Sequence, residues 1–220
     1  MTATAPKAET DPESLSASIY AELRVRLITG ALKPAEAVSI RKLADSFGVS
    51  AMPVREALRQ LASEGALNSA ARKAYRVPDL TAQQASDLFF VRGVLEGAAA
   101  EIAATRITAN TLTRLEKYVV KMENLWKARD ATGFLLANYK FHSTIYQCSG
   151  NSALALSIDR LYVQTGPWLA HGIINLVNPD NWLGEHTPII EALRKGDAKT
   201  ARQLMEEDAF WGVELYRHTA

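Results

Sequence analysis

Along the first third of the chain, apolar positions recur at helical spacing and each run is cut off by glycine or proline. "SLSASIYAELRVRLITGALKPAE" places Ile19, Leu23, Leu27 and Ile28 on one stripe and stops at Gly30 and Pro34. "SIRKLADSFGV" predicts a short helix with Ser39 as N-cap, Leu43, Ala44 and Phe47 facing inward, and Gly48 as its end. Ser50 is expected to cap the helix that follows. Pro53 falls in its first turn, where a missing N–H costs nothing. That helix carries Val54, Ala57, Leu58 and Leu61 on one face and runs out near Gly65. "ALNSAARKAYRVPDL" then predicts two short strands around a basic tip, Arg72 and Lys73, with Pro78 closing the unit.

From Thr81 the pattern changes to long helices, expected over 81–105, 108–128, 131–148, 151–176, 180–195 and 197–217. No strand-like alternation and no internal repeat interrupts them. The expected fold class is mainly α: an N-terminal winged helix-turn-helix with a small β-hairpin, then an all-α helical-bundle domain of about six helices. The expected divisions are a disordered polar tail over 1–13, the winged unit over 14–79 and the helical domain over 80–220.

Composition narrows the class without naming a chemistry. Hydrophobic residues make up 48% and charged residues 22%, enough apolar surface for a sizeable core. No apolar run approaches the roughly 18 residues of a membrane span. The single cysteine, Cys148, excludes an internal disulfide and fits a reducing compartment, so the expected location is the cytoplasm. A net charge of +1 argues against a nucleic-acid binder, but the average hides an asymmetry. Residues 14–79 hold ten Lys or Arg against six Asp or Glu, a balance of +4; from residue 80 the count is fourteen against fifteen, or −1. A small basic unit joined to a larger near-neutral one points to a division of labour.

The basic residues of the first unit are placed to meet a phosphate backbone. Arg55 and Arg59 lie four apart on the second short helix, off its inward stripe. Arg41 and Lys42 precede the turn, and Arg72 and Lys73 sit at the wing tip. A charged, solvated face on a structural domain would explain one such pair. It does not explain the ordered set of helix, turn, proline-started helix and basic wing.

"IYAELRVRLITGALKPAEAVSIRKLADSFGVSAMPVREALRQLASEGAL" resembles the N-terminal domain of GntR-family bacterial transcription regulators, and the helical half resembles the FCD domain of the FadR-like branch. The resemblance spans about residues 15–217. It implies a homodimer bound to double-stranded operator DNA through Arg41, Ser50 and Arg55. The chain departs from the pattern at three places: Ala51 stands where an arginine commonly follows the turn serine, Ala74 replaces the wing glycine, and Pro34-Ala35 replaces Pro-Gly. Losing a bidentate donor at position 51 removes up to about 1–3 kcal/mol of base discrimination. The operator sequence therefore does not carry over.

In the helical half, polar residues sit where stripes should be apolar. Asn138 and His142 share a face with Phe134, Phe141 and Ile145; His186 heads the face of Ile189, Ile190 and Leu193; Asp208 interrupts Leu204, Met205 and Trp211. Arg92 lies among Leu88, Val91, Leu95 and Ala99. Buried charges need partners, so these groups should meet one another or something bound. Two imidazoles and a carboxylate suit Zn²⁺, Mn²⁺, Fe²⁺ or Ni²⁺. Hydrogen-bonded core residues, with Asp208 paired to a histidine and Arg92 to Glu96 four residues on, are the alternative.

By resemblance the metal ligands would be Asn138, His142, His186 and Asp208, against a family set of one Asp and three His. One carboxylate is lost at 138 and one gained at 208, so the formal charge of the set stays at −1. The resemblance further implies a small carboxylate effector completing the coordination sphere, clamped by Arg92, with Tyr139, Tyr162, Trp168 and His171 as candidate lining. The expected function is a one-component regulator whose operator affinity such an effector modulates, and not an enzyme. A metal-dependent hydrolase with an auxiliary DNA-binding domain is the alternative. It lacks a general base on the same face and any HExxH, GxSxG or P-loop motif. A structural DNA-binding dimer with a degenerate pocket is the third reading.

Overall fold

The computed structural model describes residues 12–70, 74–175 and 186–217. Helix α1 (Pro12–Ile28) leads into a two-residue strand β1 (Ala37–Val38), then α2 (Ile40–Phe47) and α3 (Ala51–Ser63), then strands β2 (Asn68–Ala70) and β3 (Ala74–Arg76). The three strands form one antiparallel sheet in the order β1-β3-β2, with Val38 opposite Tyr75 and Ser69 opposite Tyr75 on the other side. The sequence pattern predicts only the hairpin. Two residues are too few to show alternation, so β1 is visible only once Tyr75 pairs with it.

Each local signal in this unit has a physical counterpart. Ser39 adopts extended backbone and its hydroxyl accepts from the Lys42 N–H at 3.3 Å. Gly48 takes the left-handed conformation that ends α2, with φ 65°. Ser50 stands at the N-cap of α3 but forms no side-chain cap bond, which corrects the expectation that it would. The usual acceptor geometry targets the N–H of the second or third helical residue, and the third is Pro53, which has none. The expected stripe of Val54, Ala57, Leu58 and Leu61 is wholly buried, against Ile19, Leu23 and Leu27 of α1.

The rest of the chain is helical: α4 (Ala82–Ala104), α5 (Ala109–Lys127), α6 (Ala131–Cys148), α7 (Ser152–Asn175), α8 (Thr187–Lys195) and α9 (Ala198–Arg217). A reciprocal capping box between Thr81 and Gln84 starts α4. Helices α4 and α9 share the most extensive contact in the molecule. They approach closely because a Cβ on Gly93 would meet the Phe210 ring at 3.0 Å and one on Gly97 would meet Glu206 at 2.5 Å. Helix α7 continues through Pro167, whose missing N–H frees a carbonyl one turn back. Its Tyr162 and Val163 complete the core of the winged unit, while Leu169, Ala170 and Ile173 belong to the core of the helical domain. No helix among the described residues is long and apolar enough to cross a membrane.

Candidate functional site

Two surfaces carry chemistry. On the winged unit, Arg41 and Ser50 are exposed and Arg55 is half-buried. Neither arginine enters an ion pair among the described residues. Arg59, also exposed, is paired along its own helix with Glu56 at 2.6 Å, so part of its charge is already answered. Arg72 and Lys73 lie outside the described residues.

The second surface is interior. His142 on α6 is fully buried, His186 at the start of α8 is 2% exposed, and Asp208 on α9 reaches between them. The Asp208 carboxylate lies 3.2 Å from His142 Nε2 and 3.7 Å from His186 Nε2. One ligand atom from each of the three falls within 4.8 Å of the others. Donors bound at about 2.1 Å to one ion are about 3.0–3.4 Å apart, so this spacing is close to that of a coordination sphere. Burial works against charge on Asp208. The His142 and His186 imidazoles and the Arg92 guanidinium more than offset it and hold the carboxyl well below its usual range.

The fourth implied ligand behaves differently. Asn138 lines a cavity that His186 and Asp208 also border, and its amide N–H donates to the Tyr162 hydroxyl at 3.1 Å. The cavity measures about 30 Å³ and is bounded by Arg92, Asn138, His186 and Asp208 against the apolar Phe134, Leu169 and Trp211. That is room for at least one water or ion.

Arg92 is 3% exposed and already well partnered. Its Nε meets Glu96 Oε1 at 2.6 Å, its Nη1 donates to Thr165 Oγ1 at 3.1 Å, and its guanidinium stacks on Tyr162 and Phe89. The expected internal pairing with Glu96 is therefore present. Arg92 nevertheless borders the cavity, so both functions fit one side chain. Glu96 is the residue that sequence reasoning undervalued: it is fully buried, with its second oxygen 3.8 Å from His142 Nδ1 and with Tyr146 facing the same carboxylate. Its position one turn after Arg92 on an apolar helix was the available signal. Thr165 and Met205, whose sulfur is 3.3 Å from His142 Nδ1, gave none.

Tyr162 meets the cavity-lining Asn138 and Arg92 but does not itself border the cavity. Tyr139 and His171 do not line the cavity. The Tyr139 hydroxyl turns the other way and donates to Asp159 at 2.5 Å, because residue 139 lies a third of a turn round α6 from Asn138. His171 is exposed and bonded to Asn175, on the outer face of α7 from Ala170 and Ile173. Trp168 likewise lies beside the cavity-lining Leu169 without bordering the cavity itself.

A basic winged helix-turn-helix joined to an all-α domain is the architecture of a DNA-binding transcription regulator. Comparison with known proteins agrees. Residues 15–77 match the model of bacterial regulatory proteins of the gntR family and residues 87–208 match the FCD domain, so the chain belongs to the GntR family and is a transcription regulator, not an enzyme. It is similar to the HTH-type transcriptional regulator McbR of Escherichia coli K12, with 31% identity over 198 residues, covering 88% of this chain and 89% of that protein. It is also 32% identical over 148 residues to the gluconate operon transcriptional repressor of Bacillus licheniformis, covering 67% of this chain and 60% of that one. The solved structure of Escherichia coli McbR/YncC superposes with a TM-score of 0.85 at 28% identity, covering 94% of this chain and 99% of that one. Nothing in these relatives supports the hydrolase reading.

Proposed function

We propose that this regulator binds operator DNA as a cytoplasmic homodimer and that a divalent transition metal in the cavity, with a small carboxylate completing its shell, sets its operator affinity. The observation that carries the reading is the convergence of His142, His186 and Asp208 on one buried point beside Asn138 and Arg92. The donor set fits an ion: His142 Nε2 is buried with no partner of hydrogen-bond geometry and lies 3.2 Å from the Asp208 carboxylate, so these residues would hold one. Metal ligands must be deprotonated to bind, so metal affinity should fall as pH drops. An ion or a small carboxylate in the cavity shifts operator affinity only in so far as it binds one conformation better than the other.

DNA contact would fall to Arg41, Ser50 and Arg55, with Arg59, Arg72 and Lys73 supplying phosphate contacts. The free Ser50 hydroxyl, unused as a cap, supports its role. A dimer face is offered by α4, where Phe90, Val91 and Val94 are 59%, 46% and 36% exposed. A stable interface would bury at least about 1,000 Å² there.

The test is elemental analysis of untagged protein together with fluorescence anisotropy on duplexes selected from a random pool. Near-stoichiometric metal in the wild type, lost in Asp208→Ala, is the expected result. Absence of metal after titration would end the metal reading. Arg55→Ala should weaken duplex binding by about tenfold or more, one lost charged contact in a set; unchanged affinity would remove the assigned DNA surface.

A further inference from the structure

The winged unit does not hang free from the helical domain. Arg24 of α1 pairs with Asp159 of α7 at 2.6 Å, both side chains largely shielded, and Tyr139 of α6 donates to the same carboxylate. Arg24 also donates to the Tyr20 hydroxyl at 3.1 Å, and that hydroxyl donates to the carboxylate of Glu64 at the end of α3. Gln164 of α7 donates to the Glu64 backbone carbonyl at 2.7 Å, so α7 supplies a partner for the C-terminal end of the DNA-reading helix. Close packing accompanies these bonds: a Cβ on Gly166 would lie 2.8 Å from Ile28 Cα, and one on Gly30 would lie 2.5 Å from Ala170 Cβ.

The same short stretch of α7 also holds two residues that border the cavity. Thr165 holds Arg92, and the Tyr162 ring lies under the Arg92 guanidinium while its hydroxyl accepts from Asn138. Tyr139, the next residue after Asn138, meets the Tyr162 ring edge-on at 5.0 Å and bonds Asp159. On α6, Asn138 borders the cavity and Tyr139 meets the winged unit; on α7, Tyr162 and Thr165 hold the cavity-lining Asn138 and Arg92, while Asp159 and Gln164 hold α1 and the end of α3.

We propose that this α6–α7 surface is a docking site for α1 and the end of α3, and that Tyr162 makes docking depend on what occupies the cavity. This rests on the regulator reading above and specifies its transmission element. An occupant that draws the Asn138 carbonyl or the Arg92 guanidinium toward itself displaces the Tyr162 hydroxyl and ring. The Tyr139–Asp159–Arg24 cluster lies against that ring and has to rearrange with it. The grip of Gln164 on Glu64 then loosens on the same helix. Interfaces packed this tightly have two arrangements rather than a continuum, which is how a sub-ångström displacement becomes a domain movement.

The experiment is amide hydrogen exchange on the full chain after chelator treatment, so that metal content does not enter. Asp159→Asn breaks the latch directly, Tyr162→Phe removes only the hydroxyl that faces Asn138, and Asn138→Ala removes that hydroxyl's partner. All three should speed exchange over 20–30 and 60–66 by about tenfold while the interior of α4 exchanges as in the wild type. Tyr162→Phe decides the matter, because its lost hydroxyl touches neither α1 nor α3. If Asp159→Asn loosens the winged unit but Tyr162→Phe and Asn138→Ala do not, docking is uncoupled from the cavity and the proposal fails. If none of the three changes exchange, the docking itself fails. The readout is neither metal nor operator binding, so loss of the regulator reading through Arg55→Ala would register separately.

Discussion

Replacing Gly166 by alanine gives the docking of the two units a test whose sign is diagnostic. On an isolated helix, Gly→Ala stabilises by about 1 kcal/mol, because alanine loses less backbone freedom on folding. Here the added Cβ would lie 2.8 Å from Ile28 Cα, 3.0 Å from the Leu27 carbonyl oxygen and 3.2 Å from the Ile28 nitrogen. These are backbone atoms at the end of α1, so no side chain can swing aside. Overpacking of this kind costs about 1–3 kcal/mol. Set against the propensity gain, the expected net effect is a loss of about 0–2 kcal/mol. In a chain of this size, a loss of about 1 kcal/mol lowers Tm by about 2–4 °C. Thermal unfolding followed by circular dichroism reads it directly. A Gly166→Ala protein that melts higher than the wild type would mean that α7 does not sit on α1 in solution, and the docking geometry would have to be abandoned.

Three further outcomes follow from separate features. Ala35 holds φ 62° in the loop after α1, where glycine carries no steric penalty of about 1–2 kcal/mol; after the extra unfolded-state entropy of glycine, Ala35→Gly should gain up to about 1 kcal/mol in denaturant unfolding, and a loss would refute the strain. Burial, with nearby carboxylates, raises the phenols of Tyr139, Tyr146 and Tyr162 above their ordinary value of 10.0. A group raised in the folded state contributes stability that is complete below its unfolded value and lost as pH rises through the folded one. These three should therefore ionise only together with unfolding, above pH 10.0, in absorbance at 295 nm, and early non-cooperative titration of all tyrosines would contradict their burial. Finally, a small dicarboxylate such as malonate should give no calorimetric binding to chelator-treated protein and measurable binding after Zn²⁺ or Ni²⁺ is restored; equal binding in both would remove the metal from the effector site.

Where the sequence was legible, local chemistry and tertiary packing agreed. Leu23, Leu27, Val54 and Leu58 repeat at helical spacing and are all wholly buried, and Gly48 and Gly65 stop their helices with positive φ. His142, His186 and Asp208 could be singled out because each breaks an apolar stripe, and the structure brings those three together. What could not be read was orientation across helices. Tyr139 and Tyr162 are both aromatic residues near the same stripes, yet one bonds Asp159 and the other Asn138, a difference fixed by how α6 and α7 are rotated against each other. The pairing of Gln164 with Glu64 joins residues a hundred positions apart and leaves no periodic trace. The lost cap at Ser50 was readable in principle, since Pro53 three residues later removes the N–H it would have bonded.

Charge explains why the ligand exchange at 138 and 208 is compatible with a working site. Arg92 and Glu96 answer each other at 2.6 Å inside the fold, so together they add no net charge to the cavity. With neutral imidazoles, Asp208 alone sets its balance at −1. A carboxylate at 138 would have faced the Tyr162 hydroxyl, but at 208 it lies between His142 and His186 and within the field of Arg92. The one carboxylate of the proposed donor set therefore lies on α9, and Asn138 on α6 adds no charge. A second anion entering such a cavity meets repulsion in a low-dielectric setting, where it is poorly screened. A divalent ion turns −1 into +1 and reverses the sign of that encounter. Asn138, the uncharged member of the proposed set, donates to Tyr162 and so reaches the helix docked against the winged unit.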